Sequence, residues 1–235
     1  AEGLVSLNYN SNKAVLVEIN SETDFVAKNA DFQKMVEHIS KKAINCDNIN
    51  ELIDTKIDDK LISDYVSDHV SKIGENINIR RMETVEGDKI TSYIHNGVNP
   101  SMGKIGVILS YEAEDDVLAK KIAMHIAASK PLALSEAMLD INVIEREKSI
   151  FSEQALQSGK PKNVIENIVK GKLKKYFEEV VLLKQRFVMD PDHTIESILK
   201  KSSLKIIDYA RLEVGEGIEK ELENFADEVK KTVGN

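Results

Sequence analysis

Hydrophobic positions along the chain switch between two periods. Residues 2–9 alternate, with Leu4, Ser6 and Asn8 set against Val5, Leu7 and Tyr9. Ala14-Val15-Leu16-Val17-Glu18-Ile19 is a short β-branched run, the pattern of a buried strand. Asn10-Ser11-Asn12 lies between them as a polar turn cluster that pairs the two. Further on, Phe32, Met35, Val36 and Ile39 recur at i, i+3, i+4 and i+7, which predicts a helix with one apolar face. The same order returns later. Lys104-Ile105-Gly106-Val107-Ile108-Leu109 reads as a strand, and after a loop comes a helix carrying Leu118, Ile122 and Ile126. The two strand–loop–helix units align as an internal repeat, His38 with His125 and Ile39 with Ile126. Their loops differ. The first, residues 20–31, is three residues longer than the second, residues 110–118, and the extra length falls around Ser21-Glu22-Thr23-Asp24-Phe25. A loop that grows in one copy only serves something other than its core, and this one sets an aromatic beside an acid.

The remaining pattern fills in the architecture. Residues 49–72 read as helix. Lys72-Ile73-Gly74-Glu75-Asn76-Ile77-Asn78-Ile79-Arg80-Arg81 leads from that helix into a strand, with Gly74 where a left-handed helix cap is expected. Glu86-Gly87-Asp88 is a hairpin turn from which residues 89–95 return, and residues 96–103 form a loop. Ile141, Ile144, Phe151 and Ala155 make one stripe. Ile165, Ile168, Val169, Leu173, Tyr176, Phe177 and Val180 make a second across a short loop that ends in Pro161, so residues 141–182 predict an antiparallel helical hairpin. A short helix at 194–201, a strand at 205–214 joining the second sheet, and a helix at 218–231 complete the chain. The expected fold class is α+β, with two related subdomains of small antiparallel sheets packed on helices, an inserted helical hairpin and a C-terminal helix. The expected division is 1–73, then 74–140 with 183–214, then the hairpin 141–182, then a C-terminal helical module at 215–235.

Composition narrows the function. Across 235 residues, 42% hydrophobic and 31% charged describe a globular protein with room for sizeable cores. Aromatics at 5% and the absence of Trp make those cores aliphatic. A net charge of −8 argues against the phosphate backbone as main partner, because nucleic-acid affinity rests on Lys and Arg. The basic runs at 170–175 and 200–201 read as solvated helix faces. Cys46 is alone beside Asp47, so it forms no intrachain disulfide and reads as incidental in a reducing compartment. No apolar run approaches a membrane span. The opening Ala1-Glu2-Gly3 carries neither an initiator Met nor a leader pattern, as expected of a fragment or processed product. Motifs for chemistry are missing. There is no phosphate-binding loop, no zinc spacing among His38, His69, His95, His125 and His193, and no serine or cysteine nucleophile in a recognisable setting. Val214-Gly215-Glu216-Gly217-Ile218 lacks the third glycine of a dinucleotide fingerprint and reads as a flexible turn. No catalytic residue, metal site or cofactor is expected.

Six blocks, in order, carry a resemblance. They are Asn20-Ser21-Glu22-Thr23-Asp24-Phe25-Val26-Ala27-Lys28-Asn29; residues 72–81 quoted above; Ile122-Ala123-Met124-His125-Ile126-Ala127-Ala128-Ser129-Lys130-Pro131; Gln157-Ser158-Gly159-Lys160-Pro161; Phe187-Val188-Met189; and Arg211-Leu212-Glu213-Val214-Gly215-Glu216-Gly217-Ile218-Glu219. Together they resemble the bacterial-type elongation factor Ts family over nearly the whole chain. Members of that family begin with a small helical module, which this chain is expected to lack. The hairpin at 141–182 resembles the family's coiled-coil insertion. The resemblance implies a cytoplasmic, non-enzymatic exchange factor in translation elongation. Its partner would be elongation factor Tu, with no direct contact to nucleic acid or membrane, and a homodimer is left open.

The resemblance also implies the site. Thr23, Asp24, Phe25 and Val26 would enter the nucleotide domain of elongation factor Tu near its Mg²⁺, while Ile73, Gly74 and His95 would lie against the third domain. Mg²⁺ demands near-ideal octahedral geometry, so an apolar wedge such as Phe25 that shifts one neighbouring element can spoil it, with Asp24 as a competing acceptor or repulsive charge. The strand pattern agrees in part: if Ile90 and Ile94 face the core, His95 shares the other face with Tyr93 and is exposed. Blander assignments stand beside each residue. Phe25 could fold back onto its own sheet, Asp24 could be an N-cap, Gly74 a helix cap alone, Ile73 a buried helix end and His95 a solvated strand end. His38 and His125, at equivalent repeat positions, are expected to be structural or at the surface. Two other functions rank below: an enzyme using the Asp24 loop with a histidine, and a homo-oligomeric scaffold acting through the hairpin.

Overall fold

The computed structural model of the chain describes residues 2–157 and 159–218. The helix expected at 218–231, and with it most of the module at 215–235, lies outside the described residues. Strands β1 (Glu2–Tyr9) and β2 (Lys13–Ser21) pair across the polar turn, Leu4 opposite Ile19 and Leu7 opposite Leu16. Next come a helical turn α1 (Asp24–Ala27), helices α2 (Ala30–Ala43) and α3 (Ile49–Asp54), the two-residue strands β3 (Lys56–Ile57) and β4 (Lys60–Leu61), and α4 (Ile62–Ile73). Then follow β5 (Asn78–Glu86), β6 (Ile90–His95), β7 (Met102–Gly103), β8 (Ile105–Glu112) and α5 (Asp116–Ser129). The hairpin is α6 (Ile141–Leu156) and α7 (Lys162–Val180), and β9 (Arg186–Phe187), β10 (Asp190–Thr194), α8 (Ile195–Ser202) and β11 (Lys205–Glu213) come after it.

The α+β class is as expected. One antiparallel sheet runs β5-β2-β1-β7 and another β11-β8-β6. The sheets face each other, with helices on the outer sides. β2 is buried along its whole length because both its faces are covered. Val15, Val17 and Ile19 pack on Phe32, Met35, Val36 and Ile39 of α2. Ala14 and Leu16 point the other way, into a core shared with Ile108 and Leu212 of the second sheet. On the far side of that sheet, Val107 and Leu109 pack on Ile122 and Ile126 of α5 and on Phe187 and Ile195. The repeat is therefore visible as two strand–helix pairs, and Ile39 and Ile126 are both fully buried.

By the same two-residue period, Glu18 follows Ala14 and Leu16 toward the second sheet, and it is fully buried. Its charge is met from three directions. The β2–β5 register slips between Glu18↔Arg81 and Ile19↔Ile79, leaving Arg80 as an extra residue. A bulge of this kind lets two successive side chains reach one side. Arg80 Nη1 donates to both carboxylate oxygens (3.0 and 3.1 Å), and Arg81 Nε donates to Oε2. Asn20 Nδ2 (2.9 Å) and the Gly215 N–H (2.8 Å) donate to Oε1. The arginines also donate across to the Glu216 and Glu213 carbonyls at the end of β11. Burial alone would raise the Glu18 pKa. The bonds from Gly215, Asn20 and Arg81 and the Arg81 charge outweigh it and hold the carboxyl below its usual range.

Three local expectations are corrected. Residues 49–72 are not one helix: α3 stops, and β3 and β4 form a tiny hairpin, Lys56 opposite Leu61. Asp58 (φ 50°) and Asp59 (φ 64°) make its turn in the left-handed region, which aspartate tolerates better than most residues. Residues 89–95 do not return along β5. β6 pairs with β8 instead, because the chain at Gly87, whose N–H donates to the Asn12 carbonyl, crosses from one sheet to the other. Ile90 and Ile94 can then pack into the core between the sheets. Finally, the loop expected at 96–103 contributes β7, which extends the first sheet beside β1.

The 205–214 strand joins the second sheet as expected, pairing along β8. The helical hairpin also forms, with Phe151 and Tyr176 edge-on at 6.4 Å between centroids. Its two ends meet. Ala133 bridges Val181, the Leu132 N–H donates to the Val180 carbonyl and the Leu182 N–H to the Ala133 carbonyl. His125 pins this root from below. Its Nε2 bonds to Gln185 Oε1 at 2.9 Å, and Nδ1 accepts from the Val188 N–H at 3.2 Å, which makes it the neutral Nε2–H tautomer. Burial pushes its pKa down.

Replacing Glu18 by Gln should leave two partly buried guanidinium charges without their carboxylate and cost about 3 kcal/mol at neutral pH. Because the folded pKa of Glu18 is depressed, its contribution is present above the unfolded carboxylate pKa of about 4.3 and is lost as pH falls through the lower folded value. Urea midpoints of wild type and Glu18→Gln should therefore converge in acid. A gap that stays constant down to acid pH contradicts the assignment.

Candidate functional site

The longer loop of the first repeat carries α1, a single four-residue turn with no counterpart between β8 and α5. Its inner side is set by Val26 (6% exposed) and Ala27, which belong to the first core. With those two turned inward, the helical period throws Phe25 outward, where it is 76% exposed. Phe25 is therefore not folded back onto its sheet. The Lys28 and Asn29 N–H groups close the turn onto the Phe25 and Val26 carbonyls (3.1 and 2.9 Å). Asn29 then caps α2, its side chain accepting from the Asp31 and Phe32 N–H groups. Asp24 is not the N-cap. That position is Thr23, and Asp24 sits in the first turn, exposed, 3.8 Å from Lys28.

Thr23 makes no side-chain cap to its own helix. It turns to Glu75, 52 residues away. The Thr23 hydroxyl donates to Glu75 Oε1 (2.6 Å) and the Thr23 N–H to Oε2 (3.0 Å). The Asn76 N–H in turn donates to Glu22 Oε1 (3.3 Å), and Lys72 pairs with Asp31 (2.7 Å), holding that carboxyl below its usual range. Gly74 ends α4 in the left-handed region (φ 83°), as expected, and its N–H donates to the Val70 carbonyl. A Cβ there would meet nothing within 4 Å, so glycine serves the backbone conformation and its surface is open. Ile73 is half-buried against the first core.

The structure thus joins Thr23–Val26 to the Ile73–Gly74 corner through one carboxylate. His95 lies on another element, at the end of β6 in the second sheet. It is exposed, with its Nδ1 3.0 Å from the Tyr93 hydroxyl, while Ile90 and Ile94 face inward as the strand pattern required. Glu75 and Glu22 were missed as contributors. Both stand inside the quoted blocks, yet a carboxylate in an acidic chain has no spacing that marks its partner. Cys46 is buried, and burial raises its pKa. Among the described residues, no group of three or more His, Cys, Asp or Glu side chains could hold a metal ion, and no helix is long and apolar enough to cross a membrane.

Comparison with known proteins sets this geometry in context. The family model described as Elongation factor TS matches residues 22–216. A protein named elongation factor Ts from Paracoccus denitrificans is 48% identical over 236 residues, covering 99% of this chain and 80% of the relative. Those of a Jannaschia species and a Ruegeria species are 46% and 45% identical, covering 99% and 98% of this chain and 80% and 79% of theirs. Fold and sequence together put the chain among the translation elongation factors. It belongs to the elongation factor Ts family.

Because Phe25 is largely exposed, Phe25→Ala should change folding stability by less than about 0.5 kcal/mol. Val26→Asp, which buries an unpaired charge next door, should cost on the order of 2–4 kcal/mol. Thermal melts of the two variants check this pair. A Phe25→Ala loss as large as that of Val26→Asp would mean that the aromatic is part of the core.

Proposed function

We propose that the chain binds elongation factor Tu and promotes release of GDP, acting without covalent chemistry and without a cofactor of its own, in the cytoplasm. The observation that carries this is Phe25, an aromatic held 76% exposed on a turn whose other side is anchored in the core. Aromatics placed so are costly to display and suit the centre of a protein interface. In this proposal Thr23, Asp24, Phe25 and Val26 enter the nucleotide domain near the partner's Mg²⁺, with Phe25 displacing a neighbouring element. Asp24, exposed and paired only loosely with Lys28, supplies the negative charge. Ile73, Gly74 and His95 meet the third domain. Support for that second contact is the open surface at Gly74 and the exposure of His95.

The thermodynamics are those of linked binding. If the factor weakens GDP, GDP weakens the factor by the same ratio, and GTP in excess then completes the exchange. Release of a fluorescent GDP from elongation factor Tu, with and without the chain, is the direct test. Wild type should accelerate release. Phe25→Ala should remove most of the acceleration, since a central aromatic anchor contributes about 2 kcal/mol or more. Unchanged release in the variant would take Phe25 out of the mechanism, and no acceleration by wild type would defeat the proposal.

A further inference from the structure

A four-residue helix lies far below the length at which a helix holds itself together, so the direction of Phe25 must be set from outside α1. From within, Val26 and Ala27 fix where the turn sits. At its leading end the buried Ser21 hydroxyl donates to the Thr23 carbonyl (3.0 Å), which leaves the Thr23 N–H and hydroxyl to be held from elsewhere. We infer that Glu75 is the positioning residue of this site: its carboxylate grips Thr23 at two points and thereby sets the direction in which Phe25 is presented. The inference rests on the exchange function proposed above.

Several features support it. The grip is bidentate, one oxygen taking the hydroxyl and the other the N–H of the same residue, so it fixes orientation as well as distance. Thr23 has left its usual capping duty to make it. The mount is stiff. Glu75 lies between Ile73, packed on the first core, and Ile77, which is buried in that core. The left-handed backbone at Gly74 turns the chain between them. A second tie crosses the first, from the Asn76 N–H to Glu22. Each segment therefore holds the other, and part of what Gly74 does for the site is to aim Glu75.

The test uses the full chain as wild type, Glu75→Ala, Glu75→Gln, Phe25→Ala and the double variant Phe25→Ala with Glu75→Ala. The first readout needs no partner: amide hydrogen exchange at Lys28 and Asn29, whose N–H groups close α1. Exchange should quicken about tenfold in Glu75→Ala, the scale of losing a hydrogen bond to a charged group. The second is GDP release from elongation factor Tu at saturating factor. It should slow about tenfold in Glu75→Ala. Glu75→Gln should stay near wild type in both, because an amide can accept the Thr23 N–H through Oε1 and meet the hydroxyl through Nε2. In the Phe25→Ala background, adding Glu75→Ala should cost little more, because the presented aromatic is already gone. Unaltered protection at Lys28 and Asn29 overturns the inference. So does a full further loss of GDP release in the double variant, or a Gln variant that keeps its protection at Lys28 and Asn29 yet releases GDP as poorly as Ala, since either would place the Glu75 charge directly on the partner. If wild type fails to release GDP, the proposed function fails and the role of Glu75 in exchange falls with it. Hydrogen exchange still decides whether Glu75 clamps the turn.

Discussion

A single carboxylate buried between two sheets sets the terms for this fold. Glu18 occupies a position where the strand pattern calls for an apolar side chain, and an ion there is costly unless every lone pair is met. Two arginines, an asparagine and a backbone N–H meet it. To supply both arginines from one side, β5 must bulge at Arg80. To supply the N–H, the chain after β11 must turn back through Gly215 in the left-handed region. Apolar contact between the sheets is tolerant of small slides; this constellation is not. It gives the sandwich one register.

That register reaches the candidate site directly. β2 and β5 are locked together at Glu18, and their last paired rung is Asn20 opposite Asn78. Just beyond it, one strand continues into Glu22 and Thr23, and the other begins from Glu75, Asn76 and Ile77. The clamp between Thr23 and Glu75 is thus the next tie along the same ladder, made with side chains where backbone pairing has ended. A surface feature on a short turn gains the rigidity of a sheet centre a few residues away.

Much of the frame was legible from residue patterns. The repeat, the stripe Phe32-Met35-Val36-Ile39, the left-handed cap at Gly74 and the hairpin were all readable, because each depends on local period or on one residue's conformational preference. The longer first loop was also readable as a place of interest, although only the structure shows it as a turn that throws Phe25 outward. What was hidden depends on distance along the chain. The pairing of β6 with β8 rather than β5, the burial of Glu18 within an otherwise apolar run, and the grip of Glu75 on Thr23 each join residues with no shared period. The break at Asp58-Asp59 was hidden for another reason. Two aspartates pass as solvated helix residues until their backbone is seen in the left-handed region.

The root of the helical hairpin carries a different kind of consequence. The chain leaves the second core and returns to it at one point, where Ala133 bridges Val181 and Leu132 meets Val180. Two ends already held side by side make the arm a graft rather than a strut. Its length and its tip are free to vary over evolutionary time, or at the bench, without moving the strands behind it. The molecule therefore combines a body with little tolerance for change and an appendage that natural selection can rewrite almost independently.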